Sequence, residues 1–165
     1  MQHLVISFIC PDRPGIVNNL SALVKKHHGS WQASSMHNLS GFFAGIIEIA
    51  INKDHVDALI TEIKTIENIN IQTAVAAPKV ENSAQTLVLE LTANDRTGII
   101  QDISKTIHHN NGNLLKLVSA TDNAPHTGQL MFKAKATIAV IDEDIDKLIS
   151  ALENLADDLM VDIAR

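Results

Sequence analysis

The chain has 165 residues, 45% of them hydrophobic, enough to bury one ordinary core or two small ones, so a folded protein is expected. Its 13 Lys and Arg against 19 Asp and Glu leave a formal charge of −6, spread without long runs, which repels phosphate backbones and argues against direct nucleic-acid binding. Aromatic residues make up only 3%, which removes the stacking platforms of single-strand binders, and no apolar stretch approaches the roughly 20 residues of a membrane helix.

In chain order, HLVISFI at 3–9 is rich in β-branched and large apolar residues and stops before Pro11, as a strand does. The lone Cys10 at its end has no partner for an internal disulfide. With an N-terminus that lacks the basic and long apolar regions of a secretory signal, it leads us to expect a reducing, cytoplasmic setting. Helical spacing follows through Ile16, Leu20, Leu23, Val24 and His27 and ends at Gly29. SWQASSMHNLS and FFAGIIEIAI then predict a hairpin around Ser40-Gly41, with Phe43, Ile47, Ile49 and Ile51 on one face. A second helical stripe, Val56, Leu59, Ile60, Ile63 and Ile66, leads to a last strand from Ile69.

The pattern then repeats. Asp95, Arg96, Gly98, Ile99 and Gly112 stand 83 positions after Asp12, Arg13, Gly15, Ile16 and Gly29, whereas Phe132, Leu148 and Ile149 stand 89 positions after Phe43, Leu59 and Ile60. The second copy therefore carries six extra residues, placed at DNAPHTG, 122–128, whose Asn, Pro and Gly suit a turn. Each copy reads as βαββαβ, so the expected class is α+β: two ferredoxin-like domains in tandem, each an antiparallel sheet with helices on one face. The boundaries are 1–77 for the first domain, 78–85 for a linker without apolar period, and 86–165 for the second.

At each first strand-to-helix joint the residues are DRPGI (Asp12, Arg13, Pro14, Gly15, Ile16) and DRTGI (Asp95, Arg96, Thr97, Gly98, Ile99). Asp12 and Asp95 are placed to cap the free amides of the following helix, and Pro14 to sit in its first turn. Glycine inside a first turn costs up to about 1 kcal/mol relative to alanine, so something must approach the backbone there. That is either the domain's own sheet, packed tightly against the helix, or a small ligand or neighbouring chain drawn to the exposed amides.

These two hexapeptides, DRPGIV and DRTGII, in a duplicated frame resemble the opening signature of ACT domains, and the resemblance covers nearly the whole chain. ACT domains are regulatory modules that commonly pair side by side and bind small amino acids near this loop. The resemblance implies ligand contacts from the two DRxGI joints and from a polar residue opening the second strand, Asn113 in copy two and Ser30 in copy one; that difference argues against two equivalent sites. A chain of two such repeats is most similar to the glycine cleavage system transcriptional repressor group. This implies a non-enzymatic regulator, possible as a homodimer, with a small amino acid such as glycine as effector and a transcription factor as partner.

No cofactor and no metal are expected. The adjacent pairs His27-His28 and His108-His109 point about 100° apart on a helix and make no chelate by themselves. Trp31 reads as a core or domain-interface residue. No paired acids, Ser-His-Asp order, Walker loop or dinucleotide fingerprint stands in a convincing context, so catalysis has no visible machinery. A structural interaction module, or a regulatory subunit of an amino-acid or folate enzyme, are the alternatives.

Overall fold

The structure, a computed structural model, describes residues 1–76, 85–140 and 144–164. The chain divides into two compact units, Met1–Glu81 and Asn82–Arg165. The expected linker over 78–85 lies outside the described residues except for Gln85, which opens a strand.

The first unit runs β1 (Gln2–Pro11), α1 (Ile16–Lys26), β2 (Ser30–Leu39), β3 (Phe42–Ile51), α2 (Lys53–Ile63) and β4 (Asn70–Ala76). The second runs β5 (Gln85–Asn94), α3 (Ile99–His109), β6 (Asn113–Asn123), β7 (Leu130–Val140), α4 (Ile145–Glu153) and β8 (Met160–Ile163). The sheet orders are β2-β3-β1-β4 and β6-β7-β5-β8, and the strand pairings among the described residues are antiparallel. This is the twice-repeated βαββαβ plan. Among the described residues no helix is long and apolar enough to cross a membrane.

Alternation along the strands decides which face is buried. In β1 the even positions Leu4, Ile6, Phe8 and Cys10 are buried and join Ile47, Ile49 and Ile51 of β3 under Ile16, Leu20 and Val24 of α1 and Val56, Leu59 and Ile63 of α2. Leu89, Leu91 and Ala93 of β5, alternate residues of β7 from Phe132 to Val140, and the stripes of α3 and α4 build the second core in the same way. Trp31 is half-buried and packs against the first core. The first hairpin turns through Ser40 and Gly41, both at positive φ as a two-residue primed turn requires. The second turns through 124–129, where the amides of Gly128 and Ala124 donate to the carbonyls of Ala124 and Gln129, so the extra residues of copy two lengthen a turn and the strands beside it.

Helix α1 stops where the chain must press against its own sheet. A Cβ at Gly29 would lie 2.9 Å from Ile49 Cγ2, and one at Gly112 would lie 2.8 Å from Ile107 Cγ2. In the last turn and cap of α1, Lys26 and His27 both bind the Glu62 carboxylate of α2, His27 at 2.7 Å, which ties the two helices together. The hydrogen bonds from Lys26 and then His27 hold the Glu62 carboxyl below the usual carboxylate range.

The start of α1 differs from the sequence expectation. Asp12 does not cap the helix and Pro14 is not in it: the helix begins at Ile16, the capping position is Gly15 at φ 90°, ψ −1°, and no side chain caps it. Gly98 does the same for α3 at φ 86°, ψ 1°. Those angles are those of the third residue of a type II turn, which proline commonly precedes, and in copy two the Ile99 amide closes the turn on the Arg96 carbonyl at 3.3 Å. The glycine is thus required by the sign of φ. Tight packing does not require it, since a Cβ at either glycine would meet nothing within 4 Å.

Two outcomes follow. Gly98→Ala imposes about 1–2 kcal/mol of left-handed strain, offset in part by the 0.4–1 kcal/mol gained from a stiffer unfolded chain, whereas the larger Gly98→Asn costs less because Asn tolerates this conformation. Denaturant unfolding that ranks Asn below Ala would refute the conformational explanation. Glu62→Gln lowers stability at neutral pH; because the native carboxyl titrates lower than the unfolded one, the loss shrinks as pH falls through the carboxylate range, which melting curves across pH would record.

Candidate functional site

Each DRxGI joint lies at the end of its sheet where the hairpin turns. The Asp12 amide donates to the Gly41 carbonyl and the Asp95 amide to the Leu130 carbonyl, both at 2.9 Å. These bonds hold the joint beside the last residues of β2 or β6 and under the first turn of α1 or α3. At those first turns the Gly15 and Gly98 carbonyls accept from the backbone amides of Asn19 and Asp102, and no side chain caps either helix start.

From this common frame the two copies diverge. In the first unit the charged side chains are tied to their own fold: Asn38 Nδ2 donates to the Asp12 carboxylate, and Arg13 donates to the Glu67 carbonyl at 2.6 Å, with the Glu67 carboxylate 3.9 Å away. In the second unit Arg96 turns back to Asp102 in the first turn of α3, at 2.7 Å, and Asp95 lines an open cleft of about 380 Å³. Around that cleft stand Arg96, Gly98, Ile99, Ile100 and Gln101 on one side and Ser119, Ala120, Thr121 and Phe132 on the other.

The strand wall beside the joint differs between the two copies. Ser119 faces Ala134 across β6 and β7, at the register where the first unit sets Met36 against Gly45. Met36 is part of the first unit's packing, and its Cγ occupies the space that a Cβ on Gly45 would claim. Replacing Met and Gly by Ser and Ala removes the long side chain that would lie beneath the helix start. The sequence reading missed Ser119, Ala120, Thr121 and Phe132; the signal was available only through the hairpin register, which brings the end of β6 beside the joint.

Of the twelve residues singled out from the sequence, the structure gathers Asp95, Arg96, Gly98 and Ile99 at this cleft, with Thr97 between them in the chain. Asp12, Arg13, Pro14, Gly15 and Ile16 form the corresponding joint of the first unit. Ser30 and Asn113 lie elsewhere. Ser30 pairs with Ala50 and Asn113 with Ala139, at the opposite sheet end from the joint. Eight residues of strand separate Ser30 from Asn38 and Asn113 from Thr121, roughly 25 Å at about 3.3 Å per residue, so within one domain no small ligand touches both places.

The remaining polar candidates are placed as follows. Cys10 is buried with its thiol toward the Phe43 carbonyl, and burial pushes its pKa up, away from the nucleophilic thiolate. His28 meets the His55 ring edge-on at 5.6 Å between centroids, and the rings of His108 and His109 are 6.2 Å apart. Among the described residues no three His, Cys, Asp or Glu side chains gather as a metal site.

Residues 2–75 match the family model of the ACT domain. The whole chain superposes on an unknown protein from Galdieria sulphuraria, 22% identical, with 99% of each chain covered and a TM-score of 0.83. It also superposes on a candidate glycine cleavage system transcriptional repressor, 15% identical, with 99% of this chain and 98% of that chain covered and a TM-score of 0.71. At these identities the likeness is one of fold. No curated protein matches the sequence. The ACT domain match thus falls on the first unit, and the second unit repeats the same ferredoxin-like βαββαβ fold.

Proposed function

We propose that this protein is a non-enzymatic regulator that senses a small amino acid through its second domain and passes that state to a protein partner. The observation that carries the reading is the open cleft at the second DRxGI joint, walled by Ser119 where the first domain carries Met36. An amino-acid carboxylate suits the uncapped amides at the start of α3, where the helix dipole favours negative charge. The Asp95 carboxylate and the hydroxyls of Ser119 and Thr121 offer acceptors for the ammonium group. On this reading a small amino acid such as glycine, serine or alanine is the expected ligand.

The partner is a transcription factor on this reading, and the regulated process is glycine cleavage. Support comes from the full-length superposition on the candidate repressor and from the charge of −6, which disfavours contact with DNA itself. A ligand transmits a signal only if it binds one conformation of the protein more tightly than another, so the expected response is a shift in partner affinity rather than a new activity.

Calorimetric titration of the full chain with glycine, serine, alanine and leucine tests the ligand half. The expected outcome is a saturable heat with one site per chain for the small amino acids and none for leucine. Ser119→Met, which copies the Met36 of the first domain, abolishes that heat while leaving the thermal melt in place, and Asp95→Asn weakens it about tenfold or more. Absence of heat and of any thermal shift at millimolar ligand would remove the sensor reading and leave the ACT repeats as structural modules.

A further inference from the structure

The two sheets have equivalent outer faces with opposite chemistry. In the second unit the face turned away from the helices is charged: Lys135 stands opposite Glu90 and reaches its carboxylate at 3.4 Å, and Lys133 reaches Asp122 at 3.7 Å. This is the solvated face expected of an antiparallel sheet covered on one side only. At the same register positions the first unit has Ile46 opposite Ser7 and Ala44 opposite Ile9. Ile46 is 49% exposed, Ile9 45% and Phe42 50%, and by register they lie with Ala44 on the same face of the sheet. The second domain therefore serves as an internal control: the same fold takes lysines at these positions, so folding does not require the first domain's face to be apolar. An exposed apolar face of this kind marks a surface that is covered in the working protein.

We propose that the outer face of the first sheet is a two-fold interface between two copies of this chain. Three properties select a second copy as occupant. The face carries a single carboxylate among these strands, Glu48, and that one is paired with His3 of the same sheet at 2.6 Å, so two copies meet with little like-charge repulsion. Serines flank the apolar centre, Ser7 and Ser35 each standing opposite Ile46, and a hydroxyl both donates and accepts, so it can pair with its own symmetry mate. The area also fits. Four strands about 4.8 Å apart and about seven residues long give a projected face of roughly 450 Å², which side-chain relief raises toward the roughly 600–800 Å² per partner of the smaller stable interfaces. Two such sheets stack about 10 Å apart with strands within about 30° of alignment, each pleat matching an identical one.

Sedimentation velocity of the full chain from about 1 to 100 µM tests the interface. The wild type sediments as a dimer at the upper concentrations. Ile46→Lys, which copies Lys135, weakens dimerisation at least about tenfold while circular dichroism and melting stay unchanged; Lys135→Ile in the second domain leaves dimerisation as it was. Should Ile46→Lys disturb the fold, Ile9→Thr, which copies Thr92, reads the same surface. A wild type that remains monomeric throughout, or a dimer indifferent to the folded one of these two variants, overturns the proposal. Because amino-acid titration reads the cleft of the other domain, failure of either test leaves the other standing.

Discussion

A single constraint organises both halves of the chain: the strand leaving the sheet must enter a helix through a residue at positive φ. At Gly15 and Gly98 the backbone turns with φ near 90°, and that turn sets where the helix starts, how it lies over the sheet, and which amides remain uncovered at its beginning. Any residue with a Cβ is strained there. The hydrogen bonds from the Asp12 and Asp95 amides to the hairpin fix the other side of the same joint. The helix, the hairpin end and the joint thus form one corner whose geometry is preserved in both copies.

Once the corner is fixed by backbone alone, its side chains are free to differ. In the first domain they close the corner: Asn38 holds Asp12, Glu67 holds Arg13, and Met36 fills the space over Gly45. In the second domain Arg96 folds back on Asp102, and the small residues of β6 leave a cleft beneath α3. The outer faces differ in the opposite sense, apolar in the first sheet and ion-paired in the second. A duplicated fold supports such a division because neither change touches the buried stripes that hold each domain together.

Much of this architecture was legible in the sequence, and the parts that were not share a cause. Period-two and period-3.6 patterns place the strands and helices, because burial on one face is what those patterns encode. The constant offset between copies, with its six-residue change at 122–128, locates the longer turn. By contrast, a carboxylate before a helix looks like a cap whatever the intervening residues do, so Asp12 was assigned a role that a left-handed Gly15 makes unnecessary. The cleft wall was hidden for a related reason. Ser119 and Thr121 carry no pattern of their own, and only the register of β6 on β7 brings them to the joint. Ser30 and Asn113 show the converse: a motif position can be identified from sequence while the distance that separates it from its companions cannot.

That distance has a mechanistic consequence. About 25 Å of strand lies between the polar residue opening the second strand and the joint of the same domain, so a small ligand held at a joint meets that joint and its hairpin end, not Ser30 or Asn113 of its own domain. A ligand held there shifts the protein between arrangements by no more than the difference in its affinity for them. A regulator built this way needs no catalytic group, since the free energy it transmits is only that difference in binding.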